Sequence, residues 1–174
     1  MKILLISDIH DNEHNLREVI KLAIAKNVEE VIALGDYCYP GIIRYFATLN
    51  FKFRCIFGNN DGDRAGMMQD SMNSNGKVIF SRGEFDQYEI SGKKIFVTHY
   101  PQIAEAVALS GKYSAVFYGH DHVLRNEKLP NNCLLVNPGE ICGTKTATVT
   151  FAIWDSETNT AEIFDVKNKV LVNK

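Results

Sequence analysis

The chain has 174 residues, of which 45% are hydrophobic and 23% are charged, and its formal net charge is -2 with neutral histidines. A chain of this length is expected to form a single domain over residues 1–174 and to bury a core without disulfide bonds. The near-neutral charge argues against a protein that binds nucleic acid or anionic membranes through bulk positive charge, but it does not exclude an enzyme acting on phosphate esters.

The amino-terminal segment predicts neither a membrane span nor a secretory signal. Its apolar run at 3–6 is far shorter than the roughly 20 residues that a bilayer requires, and Asp8 ends it before a signal-peptide core could form. The four cysteines include no CxxC pair and are too sparse for a disulfide framework. The predicted location is therefore a reducing cytoplasm, without membrane contact.

The first sixty residues repeat a strand, a polar turn and a helix. Strands are predicted at 3–6, 31–34 and 53–57, where short apolar runs end in glycine or polar residues. Helices are predicted after the first two strands, because apolar residues recur there at intervals of three and four, and Asn12 is the predicted cap of the first. This order is typical of βαβ units and indicates a largely parallel sheet.

The remaining chain is predicted to contain more strand than helix. Residues 62–76 are compatible with either a helix or a loop, and 85–97 predict a hairpin that turns at Ser91-Gly92. An alternation of apolar residues with threonines at 146–153 predicts a half-buried strand. Further elements are predicted in this order: a helix between 103 and 111, and strands at 115–118, 133–136 and 161–166.

Side chains of the types that bind metals follow five of the predicted strands. A single Asp or His in such a place is usually a cap or a turn residue, but seven of them in five segments favour a common site. In open α/β sheets, ligands bind beyond the carboxyl ends of the strands, so we expect these side chains to converge. The candidate ligands are Asp8, His10, Asp36, Asn59, His99, His120 and His122.

The mixture of imidazole and carboxylate groups predicts divalent transition metals rather than calcium or magnesium. Two divalent cations, the carboxylates of Asp8 and Asp36 and a bridging hydroxide leave a charge of about +1, which matches a singly charged phosphodiester. The predicted cofactors are therefore two divalent metal ions that lower the pKa of bound water and supply the nucleophile. Manganese is the first choice, and nickel, iron and zinc are alternatives.

The order of the motifs carries a family resemblance. The motifs are Asp8-Ile9-His10, Gly35-Asp36, Gly58-Asn59-Asn60-Asp61, Thr98-His99 and Gly119-His120-Asp121-His122. Together they resemble the calcineurin-like metallophosphoesterase superfamily, and with Asn137-Pro138-Gly139-Glu140 the chain is most similar to its small single-domain prokaryotic phosphodiesterases, the YfcE-like group. The resemblance covers residues 1 to about 155. It implies an α/β fold in which two sheets form a sandwich flanked by helices, with four layers in the order α/β/β/α.

The resemblance also implies an activity and a division of the ligands. It indicates a metal-dependent phosphodiesterase that hydrolyses a phosphate ester, with a hydroxide bound by a dinuclear metal centre as the nucleophile. The residue types by themselves predict which side chains belong to the site, but not which metal each one binds. The implied arrangement has Asp8, His10 and His122 on one metal, Asn59, His99 and His120 on the other, and Asp36 bridging.

One position departs from the family pattern. In many relatives the residue after the ligand Asn is a His that contacts the phosphate and protonates the leaving group, whereas this chain has Asn60. An amide donates a hydrogen bond but delivers no proton near neutral pH, so we expect slow turnover of esters with poor leaving groups. His14, in the first turn of the first helix, is predicted to be a surface residue, with replacement of the missing acid as the alternative. The catalytic candidates are thus Asp36, Asn60 and His14.

Two further residues have alternative interpretations. Glu140 is predicted to orient the turn after Pro138-Gly139, with a hydrogen bond to a metal ligand as the alternative. Arg64 is predicted to be solvated, with binding of a substrate phosphate as the alternative.

The predicted partner is a small phosphate ester, and the sequence is also compatible with a homo-oligomer, either a dimer or a tetramer. The alternative functions are a phosphomonoesterase, a nuclease and a non-catalytic metal-binding scaffold. A nuclease is not favoured, because 19 lysines and arginines face 21 acidic residues and provide no excess for a basic groove. A scaffold would be marked by lost ligands, and none of the seven is missing.

Overall fold

The computed structural model describes residues 1–167 and 170–172, so positions 168–169 and 173–174 of the predicted domain lie outside the described chain. The described residues form twelve strands and four α-helices. The strands are β1 (Lys2–Ile6), β2 (Glu30–Ala33), β3 (Lys52–Cys55), β4 (Val78–Phe80), β5 (Phe85–Ile90), β6 (Lys93–Thr98), β7 (Ala115–Phe117), β8 (Arg125–Lys128), β9 (Leu134–Asn137), β10 (Thr150–Asp155), β11 (Thr160–Asp165) and β12 (Val170–Val172). The helices are α1 (Glu13–Ala25), α2 (Pro40–Thr48), α3 (Arg64–Met72) and α4 (Pro101–Leu109). None of these described helices has the length and apolarity that crossing a membrane requires.

The larger sheet has seven strands in the order β12-β11-β10-β1-β2-β3-β4. The strands β1, β2, β3 and β4 are parallel, and the helices α1, α2 and α3 connect them in turn. β10 and β11 extend this sheet in antiparallel pairing on the other side of β1. Because parallel strands end at the same edge, the carboxyl ends of β1, β2 and β3 are neighbours, as the βαβ pattern predicted.

The smaller sheet has five strands in the order β5-β6-β7-β9-β8. Its three inner strands are parallel, and its two edge strands run antiparallel to them. The predicted hairpin is confirmed as β5 and β6. Ser91 and Gly92, at the turn, both have positive φ values, 50° and 71°, as a two-residue hairpin turn with the right-handed twist requires.

Three apolar clusters arrange these elements in layers. Leu4 and Ile6 of β1 pack on the side of helices α1, α2 and α3, whereas Ile3 and Leu5 face the opposite side and pack with Trp154 in a cluster between the sheets. A third cluster packs α4 against the outer face of the smaller sheet. The layers are therefore helices, large sheet, small sheet and helix, which confirms the predicted α/β/β/α sandwich.

The secondary-structure prediction needs correction in two respects, one strand that was placed wrongly and several that were missed. The alternation at 146–153 does not form one half-buried strand, because residues 146–149 are irregular and β10 begins at Thr150. β10 is buried over Thr150–Trp154, since one face of its sheet meets helices and the other meets the second sheet. The short strands β4, β8 and β12 were not predicted.

The ambiguous segment 62–76 contains a helix, α3. Its amino-terminal cap is Asp63, whose side chain accepts a hydrogen bond from the backbone N–H of Gly66 at 2.9 Å. The cap satisfies a donor that the start of a helix would otherwise leave without a partner.

Candidate metal centre

The loops that follow the strands of both sheets meet at one edge of the sandwich. The backbone N–H of Asp8 donates to the carbonyl of Gly35 at 3.2 Å, and that of His10 donates to the carbonyl of Asp36 at 3.0 Å. From the smaller sheet, the backbone N–H of His120 donates to Oδ2 of Asp8 at 3.0 Å. These bonds bring candidate ligands from distant parts of the sequence within contact of one another.

Two glycines allow these loops to approach closely. A Cβ atom on Gly58 would lie 2.6 Å from the backbone nitrogen of Asp36, and a Cβ atom on Gly119 would lie 2.9 Å from Oδ2 of Asp8. Distances this short are forbidden by steric overlap, so any other residue would push the loops apart. The glycines next to the predicted ligands thus set the distances within the site.

Most of the candidate ligands have an unusual backbone conformation. Five of the seven have positive φ values, a region that residues other than glycine rarely occupy and that costs on the order of 1 kcal/mol per residue. Such strain is concentrated at functional sites, where the surrounding structure imposes it. The five are Asp8 (55°), His10 (44°), Asp36 (58°), His120 (76°) and His122 (63°).

The first group of candidate ligands contains Asp8, His10 and His122. Nε2 of His122 lies 3.1 Å from Oδ1 of Asp8, and Nε2 of His10 lies 3.7 Å from the same oxygen. Asp8 and His122 are buried, while His10 is partly exposed. One ligand atom from each of the three residues lies within 4.8 Å of the others, so together they could hold one metal ion.

The second group is built around Asn59. Its Oδ1 lies 3.1 Å from Nε2 of His99 and 2.8 Å from Nδ1 of His120. Oδ2 of Asp36 lies between the two groups, at 3.4 Å from Nε2 of His99 and 3.5 Å from Nε2 of His10. The structure therefore brings all seven predicted ligands together, with Asp36 at the centre.

The orientation of His122 leaves a place for a cation. Nδ1 of His122 lies 2.7 Å from Oε2 of Glu140, and because a carboxylate only accepts hydrogen bonds, Nδ1 carries the proton. In the neutral ring, the lone pair of Nε2 then faces Oδ1 of Asp8. This buried oxygen has no hydrogen-bond partner in the described part of the chain. Two electron pairs in contact repel each other unless a cation lies between them.

His99 repeats this arrangement on the other side of the site. Its Nδ1 lies 2.7 Å from the carbonyl oxygen of Leu34, so Nδ1 carries a proton, and in the neutral ring the lone pair of Nε2 faces Oδ2 of Asp36. Imidazole nitrogens and carboxylate oxygens aimed at each other form the donor set of divalent transition metals. The residues present therefore fit such ions.

Electrostatics keep the carboxylates in the form that binds cations. Burial opposes ionisation of Asp8, but its contacts with the imidazole groups of His10 and His122 hold the pKa of Asp8 well below its usual value. The pKa of Asp36 is also lowered, because contacts with His99 and Asn60 outweigh its burial. Both carboxylates are therefore ionised at neutral pH and attract positive charge.

Asn60 lies beside the central carboxylate. Its backbone N–H donates to Oδ1 of Asp36 at 2.8 Å, and its side-chain Nδ2 donates to Oδ2 of Asp36 at 2.7 Å. It also lines the pocket over the site, which has a volume of about 330 Å³. The residues that line this pocket are His10, Asp36, Asn59, Asn60, His120, His122, Thr144 and Lys145.

Other features lie away from this pocket. His14 is exposed in the first turn of α1 and does not line the pocket, so it is not brought to the other catalytic candidates. A larger pocket of about 610 Å³, lined in part by Lys2, Lys26 and Phe164, contains no candidate ligand.

Sequence reasoning missed the role of Asp61, which joins two of the loops. Its Oδ1 accepts hydrogen bonds from the backbone N–H groups of Tyr37 at 2.7 Å and Cys38 at 3.0 Å. Its Oδ2 accepts from those of Gly58 at 2.7 Å and Asp36 at 3.1 Å. Burial raises the pKa of Asp61 in spite of these bonds. The signal in the sequence was an acidic residue directly after a strand-ending Gly58-Asn59-Asn60 turn.

The two residues with alternative interpretations have defined places. Glu140 is fully buried, and its contact with His122 is the hydrogen bond to a candidate ligand that was the alternative interpretation. The Arg64 side chain is partly exposed, as predicted, and its Nη2 donates to the carbonyl of Gly58 and to Oε1 of Glu84, each at 2.7 Å. These bonds connect Arg64 to the turn that carries Asn59.

Comparison with known proteins places the chain in a family. Its sequence matches the model of the calcineurin-like phosphoesterase superfamily domain over residues 1–159. The chain is 36% identical over 159 residues to a phosphodiesterase of Methanocaldococcus jannaschii, and this alignment covers 90% of the chain and 94% of that relative.

Solved structures support the same placement. The structure of an archaeal phosphodiesterase has a TM-score of 0.87 and 35% sequence identity, with 95% of this chain and 99% of that chain covered. YfcE, a phosphoesterase from E. coli, has a TM-score of 0.73 and 16% identity, with 99% of this chain and 97% of that chain covered. At this low identity, the second similarity shows a shared fold.

Proposed function

Because the chain belongs to the calcineurin-like phosphoesterase superfamily and is thus a hydrolytic phosphoesterase, we propose that it hydrolyses phosphodiesters at a centre of two divalent transition metal ions. The proposal rests on one observation above all. The Nε2 atoms of His122 and His99 face the carboxylate oxygens of Asp8 and Asp36, at 3.1 and 3.4 Å. A cation next to each pair satisfies both partners.

The proposed division of ligands follows the two groups in the geometry. The central position of Asp36, whose Oδ2 faces a histidine of each group, supports its role as a bridging ligand. Manganese is the first choice, with nickel, iron and zinc as alternatives, because the donor set mixes imidazole with oxygen. The proposed ligands are Asp8, His10 and His122 for one ion and Asn59, His99 and His120 for the other.

The residues of the chain prepare the site for attack on phosphorus. When bound, two divalent ions lower the pKa of a water molecule that then serves as the nucleophile, and they offset charge on the phosphoryl oxygens. Glu140 and Leu34 fix the orientation of His122 and His99 through their Nδ1 atoms. Asn60 lines the pocket, and the amide hydrogen that is not bonded to Asp36 is proposed to donate to the phosphoryl group.

Preference for diesters is supported by the relative that is named a phosphodiesterase and by the charge of the site. A net charge of about +1 at the loaded centre matches a singly charged diester better than a doubly charged monoester. A pocket of about 330 Å³ is of the size that holds a small molecule, which supports a small phosphate ester as the substrate.

The experiment that tests this function measures metal content and activity together. The protein is stripped with a chelator and reloaded with manganese or nickel. Bound metal is then determined by mass spectrometry, and turnover is measured with bis-p-nitrophenyl phosphate and p-nitrophenyl phosphate. We expect two ions per chain and faster hydrolysis of the diester. Asp36→Asn is expected to abolish activity and reduce the metal content, whereas Asp70→Asn, remote from the site, should change neither. A protein that binds no metal and hydrolyses neither ester would overturn the proposal.

A further inference from the structure

The pocket over the candidate centre contains one lysine. Among its lining residues, all within the described chain, Lys145 is the only lysine or arginine. The Lys145 side chain is exposed, and its ammonium group has no ion-pair partner among the described residues. Lys145 lines the same pocket as the candidate ligands His120 and His122.

The backbone around Lys145 is held by a buried carboxylate. Oε1 of Glu140 accepts hydrogen bonds from the N–H groups of Lys145 at 3.1 Å and Thr146 at 2.6 Å, and from the hydroxyl of Thr146 at 2.7 Å. Oε2 accepts from the N–H of Thr144 at 3.2 Å. A surface lysine that contacts only solvent does not require a buried carboxylate to hold its backbone in place. Here the backbone of residues 144–146 is fixed while the ammonium group is free.

The same carboxylate contacts the metal site. Oε2 of Glu140 lies 2.7 Å from Nδ1 of His122 and also accepts a hydrogen bond from Sγ of Cys142 at 2.8 Å. Both oxygens of this buried carboxylate therefore have hydrogen-bond partners. Glu140 thus connects the orientation of a candidate metal ligand with the position of Lys145 at the pocket.

We propose that Lys145 is a substrate-binding residue, whose ammonium group donates a hydrogen bond to a non-bridging oxygen of the phosphate ester. Glu140 is a positioning residue that presents Lys145 through the backbone of 144–146. The inference rests on the proposed function, because it places the phosphate in the same pocket. A charged donor binds phosphate oxygens more strongly than a neutral one, so Lys145 supplements the amide of Asn60. Arg64, whose Nη2 binds Gly58 and Glu84, is not among the residues that line the pocket.

Binding of inorganic phosphate to the manganese-loaded protein tests the role of Lys145 without relying on turnover. Isothermal titration calorimetry compares the wild type with Lys145→Gln, Lys145→Arg and the control Lys112→Gln, which alters an exposed lysine outside the pocket. We expect Lys145→Gln to weaken phosphate binding about tenfold, because a charge-assisted hydrogen bond is lost. Lys145→Arg keeps the charge and should lose about threefold or less. In diester hydrolysis, Lys145→Gln should raise KM more than it lowers kcat.

The outcomes separate this inference from the proposed function. Metal content is measured for every variant, and it should equal that of the wild type. Unchanged phosphate affinity in Lys145→Gln overturns the inference, as does a loss of metal in that variant or a wild type that binds no phosphate. If the wild type binds phosphate more tightly than Lys145→Gln but hydrolyses neither ester, the binding role stands and the proposed function fails.

Discussion

Asn60 stands where the family resemblance implies a histidine, and this difference limits the chemistry that the proposed site can perform. Its amide donates to Oδ2 of Asp36 at 2.7 Å, and it lines the pocket in which we propose that the phosphoryl group binds. An amide stabilises negative charge but provides no proton for a departing alkoxide. The other candidate for this role, His14, does not line the pocket. The identity of the leaving group should therefore control the rate.

We predict that Asn60→His makes the enzyme less dependent on the leaving group. The wild type should hydrolyse aryl diesters with good leaving groups and become slower as the pKa of the leaving phenol rises. An imidazole at position 60 can donate a proton, so the variant should accelerate the poorest substrates by at least about tenfold. The measurement is kcat across a series of substituted phenyl diesters, with manganese content determined for each protein.

The control for this variant is Asn50→His, which introduces the same side chain at an exposed position outside the pocket. Its kcat should depend on the leaving group as strongly as that of the wild type. Equal rates across the series for the wild type itself would contradict the assignment of Asn60 as a residue that only donates a hydrogen bond.

The sequence predicted which residues meet at the site, but not the contacts that hold them there. Residue type and position after a strand are local properties, and they were sufficient to identify Asp8 and His122 as neighbours. The positive φ values of both residues are imposed by contacts between loops, which one segment does not reveal. Glu140 meets His122 only because their loops pack together, so its role depends on tertiary structure.

At the scale of elements, Asp61 connects the loop after β2 with the loop after β3. Each of its carboxylate oxygens accepts two backbone hydrogen bonds, Oδ1 from Tyr37 and Cys38, and Oδ2 from Gly58 and Asp36. An asparagine at this position has only one accepting oxygen. Whichever way its amide is turned, two buried N–H groups lose their partner.

We predict that Asp61→Asn lowers the free energy of unfolding by about 3 kcal/mol, the cost of two unsatisfied buried donors. The measurement is urea denaturation of the metal-free protein in the presence of a chelator, so that loss of metal does not contribute. The matched control is Asp70→Asn, which removes the ion pair with the exposed Arg44 at 2.9 Å. Surface pairs contribute little, and this change should cost less than about 1 kcal/mol. Similar values for the two variants would refute the organising role of Asp61.

The elements that could be predicted were those whose pattern is local. β1 is a continuous apolar run, and α1 has apolar residues at helical intervals and a cap, Asn12, whose side chain accepts from the backbone N–H of Asn15. β4 and β8 are short strands at sheet edges, and they exist because a neighbouring strand offers hydrogen bonds. The prediction of one strand from the threonine alternation at 146–153 is wrong, because Glu140 accepts hydrogen bonds from residues 144–146 and holds them in a loop.

At the scale of the whole molecule, the candidate centre connects the two sheets of the sandwich. Asp8, Asp36 and Asn59 follow strands β1, β2 and β3 of the larger sheet, whereas His99 and His120 follow β6 and β7 of the smaller one. The sheets also share a core between them. Ions bound at this edge therefore act as links between the two halves of the fold, in addition to any part in catalysis.

We predict that metal binding stabilises the whole fold. An ion that binds the native state alone at 100 times its dissociation constant adds about 2.7 kcal/mol to the free energy of unfolding. For a chain of this size, each kcal/mol raises Tm by about 2–4 °C, so one ion should raise Tm by roughly 5–10 °C. Differential scanning calorimetry of the chelator-treated protein with increasing manganese provides the measurement, and Tm should rise with the concentration of manganese. Asp36→Asn should show a smaller rise than Asp70→Asn, because it removes the carboxylate that contacts histidines of both groups. A Tm independent of manganese would show that the ions do not link the sheets.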